Sequence, residues 1–348
     1  MKRLILILFI VVFALSGCKG KVEPTTIEPE VPKPPIIVDV PVVTQPTEPV
    51  KEGEASPLSG IYAANDIINQ RVVAIMFDNH PGARWQAGLK DAEIVFEFPV
   101  EAPYTRYLGL FLVNSPDSIG PIRSSRPYFV TKALEFDAIY VRVGGSEQAK
   151  IDIKNLNIAD IDGLTSSNKV FWRNNKKKAP NNLYSNMEVI RQTQVDKGYN
   201  LSGSFEGFKF NELDKDIEGY SAKSVLINYN KSNTSKFTFD ELKKLYNRAK
   251  DGKDHIDESD KSILTAKNII IQEAKVKVID SEGRLEIGLI GEGNGKYITN
   301  GVGMDIKWVK KSRSDKTYYF DKNGLELTLN PGNTWIQIVD INPSIIIE

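Results

Sequence analysis

The sequence predicts an α+β fold: a mixed α/β, sandwich-like domain over residues 57–215, followed by a strand-rich domain over residues 216–348. Three observations carry that prediction. Short β-branched and aromatic runs alternate with polar turns through the first half. Helix-start signals fall between and after those runs without the regular strand-helix repeat of a doubly wound sheet. From about Ser221 onward, apolar runs are separated by glycine-containing turns, the pattern of antiparallel hairpins.

Ahead of both domains, Lys2 and Arg3 precede an apolar stretch from Leu4 to Ala14, and Leu15-Ser16-Gly17 leads into Cys18, the one cysteine of the chain. A positive start, a short apolar stretch and small residues mark an export signal. The arrangement resembles the lipobox of bacterial lipoproteins, in which the cysteine thiol takes a diacylglycerol and becomes the mature N-terminus. Residues 1–18 are therefore expected to be a lipoprotein signal peptide. The apolar stretch is about half of the roughly twenty residues that span a bilayer, which argues against a permanent membrane helix. Two acyl chains make retention stable where one is marginal. The expected location is the extracytoplasmic face of the cell membrane, with membrane lipid reached through Cys18. With Cys18 used for lipid, no thiol remains for a disulfide, a nucleophile or a zinc-thiolate site.

Residues 19–56 carry eight prolines, from Pro24 to Pro49, among Glu, Val and Thr. With no apolar period to bury, this stretch reads as an extended tether. The remainder is long enough for a substantial core. Its charge is balanced, 45 basic against 45 acidic residues over the whole chain. Nothing in that balance favours a polyanion, so no nucleic-acid partner is predicted.

In the first half, Val72 to Phe77, Ile94 to Phe98, Tyr107 to Val113 and Ala138 to Val143 read as buried strands. Pro127 suits the first helical position of a helix through Phe136. Ser185-Asn186-Met187-Glu188 reads as a capping box that opens a helix ended by Gly198. In the second half, strands are expected at Ser224 to Tyr229, Ile269 to Gln272, Lys275 to Asp280, Leu285 to Ile290, Met304 to Val309, Thr317 to Phe320, Leu325 to Leu329 and Thr334 to Val339. Asn300-Gly301 and Asn323-Gly324 are hairpin signals, and the expected result is an antiparallel meander. Gly291 to Gly295 reads as a hairpin turn, because no helix follows to make it a phosphate loop. Local propensity favours a helix from Asp240 to Lys250 with Asp240 as its cap.

The candidate ligand-binding residues are Asp78, Asn79, Glu97, Arg106, Arg123, Arg126 and Ser146, at the ends of apolar runs or in adjoining loops, where scaffolds expose functional groups. Arg123 and Arg126, three residues apart at a helix start, suit a carboxylate or phosphate. The competing reading is internal ion pairing of Arg106, Arg123 and Arg126 with Asp78, Glu97 and Asp137. Gly144-Gly145-Ser146 is either a tight turn or a backbone nest for a ligand. It lacks the Gly-x-Ser-x-Gly elbow, and His80 and His255 fall in no recognisable triad, so acyl transfer is disfavoured. Glycoside hydrolysis needs two acids, and Asp78, Glu97 and Glu101 are the first candidates. His255 reads as a surface hydrogen bond or ion pair and not as a metal ligand; no metal or cofactor is expected. Trp308, Tyr318, Tyr319 and Trp335 read as sheet core.

Several segments together carry a family resemblance: Phe77-Asp78-Asn79-His80-Pro81-Gly82-Ala83-Arg84, Ala92 to Glu97, Thr105-Arg106, Ile119-Gly120-Pro121-Ile122-Arg123-Ser124-Ser125-Arg126-Pro127, Gly144-Gly145-Ser146 and Pro180-Asn181-Asn182-Leu183-Tyr184, then Tyr246, Arg248, His255, Asp257, Asn268 and Asn333-Thr334-Trp335-Ile336. The chain resembles the YerB-like lipoproteins, a family of unknown function, over essentially residues 57–348. The resemblance implies an extracytoplasmic lipoprotein with an N-terminal α+β domain, a family-specific C-terminal domain, and strands around a turn near Tyr246, against local helix propensity. It implies no activity. Glu101-Ala102-Pro103 stands where Glu-Gly-Gly is expected, and Asn181 stands where a histidine is expected. The function read from the sequence is a membrane-anchored protein that binds a ligand or partner, an envelope glycan or protein. A carboxylate-dependent glycan hydrolase is the alternative.

Overall fold

The computed structural model describes residues 52–348. Cys18, the expected signal segment and all but the last residues of the proline-rich stretch lie outside them. Glu54–Ala55 already pairs with Tyr62–Ala63, and the Ser56 hydroxyl donates to Glu93, so packed chain starts slightly ahead of residue 57.

The expected strands of the first half form as Val73–Asp78 (β1), Ile94–Pro99 (β2) and Thr105–Phe111 (β3). Helix Pro127–Glu135 (α1) follows, with Pro127 in its first turn. Then come Ile139–Arg142 (β4), helix Glu147–Asn155 (α2), Asp160–Asp162 (β5) and helix Met187–Asp196 (α3). Asn186, one residue later than the capping-box reading placed it, caps α3 by accepting from the Val189 amide at 2.8 Å, while the Ser185 hydroxyl donates to the Val170 carbonyl. Gly198, at φ +67, takes the left-handed position just past the helix end.

The second half supplies Ser224–Asn230 (β6), Asn233–Asp240 (β7), Leu245–Lys250 (β8), Asn268–Glu273 (β9), Gly291–Thr299 (β10), Val302–Lys310 (β11), Thr334–Val339 (β12) and Ser344–Ile347 (β13). Three expectations change here. Asp240 to Lys250 forms the strands around a turn that the resemblance implies, and not the helix that local propensity favours. The Asp240 carboxylate accepts from the Leu242 and Lys243 amides at 3.1 Å each, so its capping chemistry closes a turn instead. In β8, Tyr246, Arg248 and Lys250 face inward at period two, and two charged residues at buried positions disguised the strand. Gly291 to Gly295 opens β10 and is not a turn. A Cβ on Gly293 would meet Trp308 Nε1 at 2.6 Å, so these glycines permit close packing. The turn lies at Asn300-Gly301, with φ of 51 and 77, as the hairpin signal predicts.

The meander is also interrupted. β12 runs parallel to β9 on one side and to β2 on the other. One sheet of eleven strands thereby runs through both halves, in the order Tyr220–Ser221, β11, β10, β9, β12, β2, β3, β1, β4, β5, with Tyr318–Phe320 joined to β11. Its central strands are buried on both faces, the pattern of continuous apolar runs. On one face Ala74, Met76, Phe96, Leu108 and Ile336 pack with Phe129 and Ala133 of α1 and Ala149 of α2. On the other, Val73, Ile75, Phe77, Ile269 and Trp335 pack with Ile190 of α3 and with Val225, Ile227 and Phe237 of a second, antiparallel sheet built on β6, β7, β8 and β13. The arrangement is α+β in three layers, and the sandwich draws its larger sheet from both halves.

Candidate functional site

β9, β12, β2, β1, β4 and β5 run in one direction, with β3 antiparallel between β2 and β1. The carboxyl ends of β1, β2, β4 and β5 and the start of β3 therefore share one edge, the side on which open α/β sheets place ligands. Residues 121–125 cross that edge in extended form. The Asp78 amide bonds the Pro121 carbonyl at 2.9 Å, the Arg123 amide the Met76 carbonyl at 3.0 Å, the Val143 amide the Arg123 carbonyl at 3.1 Å, and the Ser125 amide the Gly144 carbonyl at 3.1 Å. These bonds fix Arg123 and Arg126 over the ends of β1 and β4.

Three guanidiniums converge there on two carboxylates. Arg126 Nε donates to Glu101 Oε1 at 2.6 Å, and Arg106 Nη2 approaches Glu101 Oε2 at 3.5 Å while its Nη1 donates to the Ser124 carbonyl. Arg123 Nε lies 3.4 Å from Asp78 Oδ2, but that pair lacks hydrogen-bond alignment, and both atoms are buried without a hydrogen-bond partner. Burial, then the neighbouring charges of Arg126 and Arg123, push the Arg106 guanidinium down to about 10. Burial would raise the Glu101 carboxyl, but Arg126 and Arg106 outweigh it and hold it below the usual range. The Arg123 side chain is the most open of the three, 26% exposed against 13% for Arg126 and 9% for Arg106. Within this cluster the cations outnumber the acids by one, whereas Arg142 with Asp160 and Asp162, at the ends of β4 and β5, shows the opposite imbalance. Asp137, the other acid weighed for this cluster, instead pairs with Arg71.

Asp78, Asn79 and Glu97 sit deeper, whereas Ser146 is half-buried. Asp78 is buried, its Oδ1 accepting from the His80 amide. Asn79 is buried, donating to Thr105 Oγ1 at 2.7 Å and accepting from Arg84 Nε at 3.0 Å. Thr105 Oγ1 in turn donates to Glu97 Oε1 at 2.7 Å. Ser146 caps α2, accepting from the Ala149 amide. Glu97 is fully enclosed: Arg248 Nη2 donates to Oε2 at 2.5 Å, Lys250 Nζ to Oε1 at 2.8 Å, and Ser235 Oγ to Oε2 at 2.9 Å. Burial would raise its carboxyl, but Lys250 and Arg248 outweigh that and take it down to about 2. His255, expected at the surface, is fully buried here, a correction with a clear cause. Its ring lies between Trp85, Tyr107 and Trp335, its Nδ1 accepts from Arg248 Nη1, and its Nε2 donates to Gln86 Oε1 at 2.7 Å. Burial, then Arg248, Lys250 and Arg84, keep this imidazole neutral far below its ordinary range. The roles of Arg248 and Lys250 were not read from the sequence; the signal was their period-two spacing with Tyr246.

Trp308, Tyr319 and Trp335 are buried in the core as expected, and Tyr318 is half-buried, with its hydroxyl on Glu206. His80 borders the edge, its ring 4.8 Å from that of Tyr104 and its Nδ1 accepting from the Gly82 amide. Asn181 Nδ2 lies 3.3 Å from the same nitrogen. The position at which the resemblance leads one to expect a histidine is therefore in contact with His80. Among the described residues, no three His, Cys, Asp or Glu side chains are grouped to hold a metal ion.

Residues 58–200 match the family model described as "Protein of unknown function (DUF3048) N-terminal domain", and residues 225–336 match the corresponding C-terminal domain. The Bacillus subtilis protein named "Putative lipoprotein YerB" is 32% identical over 286 residues, which cover 82% of this chain and 86% of that protein. The crystal structure of YerB protein from Bacillus subtilis superposes with a TM-score of 0.76 at 32% identity, covering 84% of this chain and 99% of that one.

Proposed function

The chain belongs to the YerB-like family of proteins of unknown function, and we propose that it is a lipid-anchored, extracytoplasmic binding protein that takes an anionic ligand or partner of the cell envelope at the Arg106, Arg123 and Arg126 edge. The observation that carries this reading is the charge imbalance there. Three guanidiniums share two carboxylates, and the most exposed of them, Arg123, faces Asp78 without an aligned hydrogen bond. An incoming carboxylate or phosphate would supply the missing counter-charge, to which arginine offers a planar multi-donor face. The lipid anchor rests on the signal segment ending at Cys18 and on the name of the Bacillus relative.

Carboxylate catalysis on a glycan has less support. Glu97 and Asp78 are enclosed, and Glu101 is held by two arginines, so these acids do not face each other across an open cleft. The test is binding of purified envelope fractions to the wild type and to the Arg123→Gln, Arg126→Gln double variant. A loss of roughly tenfold or more in affinity with the fold intact supports the reading. Undiminished binding, or turnover of an envelope glycan that depends on Glu101, defeats it.

A further inference from the structure

A second surface, on the helical face of the large sheet, has a different character. The hairpin Val276–Val278 with Leu285–Ile287 lies beside α1 and α2 and leaves a groove of about 730 Å³, within the range of small-molecule sites, roughly 300–1,000 Å³. Its floor is apolar, with Leu285, Ile287 and Leu289 buried, and its lip carries Ile279 and Ile290, 53% and 52% exposed. Lys275 and Lys277 line the same groove, are exposed, and form no ion pair among the described residues. They outnumber the one unpaired carboxylate of the groove, Glu286, which stands opposite Lys277 in the hairpin. Arg313, the remaining cation, is already committed: its guanidinium bonds Thr131 Oγ1, the Pro127 carbonyl and Asp152 Oδ2.

We propose that this groove binds a single-chain carboxylate amphiphile, of the fatty-acid class, with its chain on the Leu285, Ile287 and Leu289 floor and its headgroup at Lys275 and Lys277. An apolar trough beside free cations complements such a ligand in both parts. Each methylene withdrawn from water multiplies affinity roughly fourfold. Two ammonium point charges with no free guanidinium fork suit a monoanion better than a phosphate. The trough is concave and flanked by helices, which favours an inserted chain over the flat surface of a bilayer. This site is separate from the arginine edge and does not depend on it.

The test is calorimetric titration of the lipid-free chain from Lys19 to Glu348 with laurate, kept below its micellar concentration. Saturable one-to-one binding is expected, about tenfold weaker for dodecanol, which lacks the charge, and about tenfold weaker for the Lys275→Gln, Lys277→Gln variant. Both lysines are exposed, so that variant should keep the wild-type Tm. The Ile279→Asp variant, altered at the lip, should weaken laurate binding as well, whereas Arg123→Gln should leave it unchanged. Absence of saturation, equal binding of dodecanol, or an undiminished affinity in the lysine variant overturns the proposal. Lysine-dependent sedimentation with anionic vesicles in the absence of laurate binding would assign the surface to the membrane instead and also overturns it.

Discussion

Glu97 on β2 and Arg248 on β8 meet at 2.5 Å with both side chains fully buried, 151 residues apart in sequence. Lys250 completes the contact from the same strand, and the Arg248 guanidinium lies 4.2 Å from the Trp335 ring. A second clamp of the same kind sits on the other face of the large sheet, where Glu135 of α1 bonds both Lys132 and, at 2.9 Å, Lys310 of β11. In each, an acid from the first half neutralises a cation from the second. Burial lowers Lys132 to about 8, although Glu135 opposes the shift. Buried charges of this sort specify an arrangement at least as much as they stabilise it, because their mutual attraction has to offset their desolvation.

Removing only the acid should therefore cost more than removing it together with one of its two cations. Glu97→Gln leaves Arg248 and Lys250 adjacent without a counter-charge, and a loss of about 3–5 kcal/mol is expected. Adding Lys250→Met to that variant should recover part of it. Urea midpoints at neutral pH check both steps, and equal destabilisation by the single and double variants would contradict the clamp.

The pH dependence follows from the same residues. His255 has a folded-state pKa well below 6.5, so the unfolded chain takes up its proton first as pH falls, and stability drops below about pH 6.5. The slope from this one group approaches about 1.4 kcal/mol per pH unit. Glu97 adds a later loss, because its stabilisation is present above about 4.5 and disappears as pH falls through about 2. His255→Gln should flatten the stability curve between pH 6.5 and 4.5 but keep the steeper fall below it. Unfolding free energies measured at intervals across that range provide the check.

Much of this framework was legible in the sequence, and the exceptions share a physical cause. Val73–Asp78, Ile94–Pro99, Thr105–Phe111 and the helix from Pro127 follow from apolar runs and proline placement, which act locally. The β8 strand did not, because Arg248 and Lys250 occupy its inward positions and their partner Glu97 is distant in the chain. The insertion of β12 between β9 and β2 is equally non-local. Of the site, the sequence located Arg106 at a strand end and Arg123 and Arg126 just before a helix. It named Asp78, which meets Arg123, but not Glu101, which holds Arg106 and Arg126 in place of Glu97 and Asp137.

That inserted strand bears on whether the halves are separable. Each residue of Thr334–Val339 is buried, and its parallel pairing with Ile94–Pro99 is lost when the chain is divided near residues 211–220. Fragments 57–215 and 216–348 expressed separately should therefore lack cooperative unfolding transitions, and co-expression should restore them. Independent, sharp transitions in both fragments would show that each half completes its own core.

Within the arginine edge, the half-buried Arg123 and Arg126 should separate stability from recognition. Arg126 has a 2.6 Å bond to Glu101 and a second to the Ser125 carbonyl, whereas Arg123 makes no aligned side-chain hydrogen bond to Asp78. Arg126→Gln is expected to cost about 1–3 kcal/mol of stability, and Arg123→Gln, which removes only a misaligned ion pair with buried Asp78, about 1 kcal/mol or less. Thermal melts of the single variants test this. A large stability loss from Arg123→Gln would make Arg123 a structural counter-charge for Asp78 and remove the free cation from the binding surface.

The anchor is the remaining element of the proposed function, and it rests on Cys18, which lies outside the described residues. Export with diacylglycerol on that thiol requires the cysteine itself, and no other residue of the chain carries a thiol. Cys18→Ala should leave an unprocessed precursor or release the protein from the membrane fraction, while the folded part, residues 52–348, keeps its wild-type Tm. Fractionation with mass analysis of the mature N-terminus distinguishes the cases. A wild-type protein that begins at another residue and carries no lipid would remove the anchor from the proposal while leaving the arginine edge to be tested by itself.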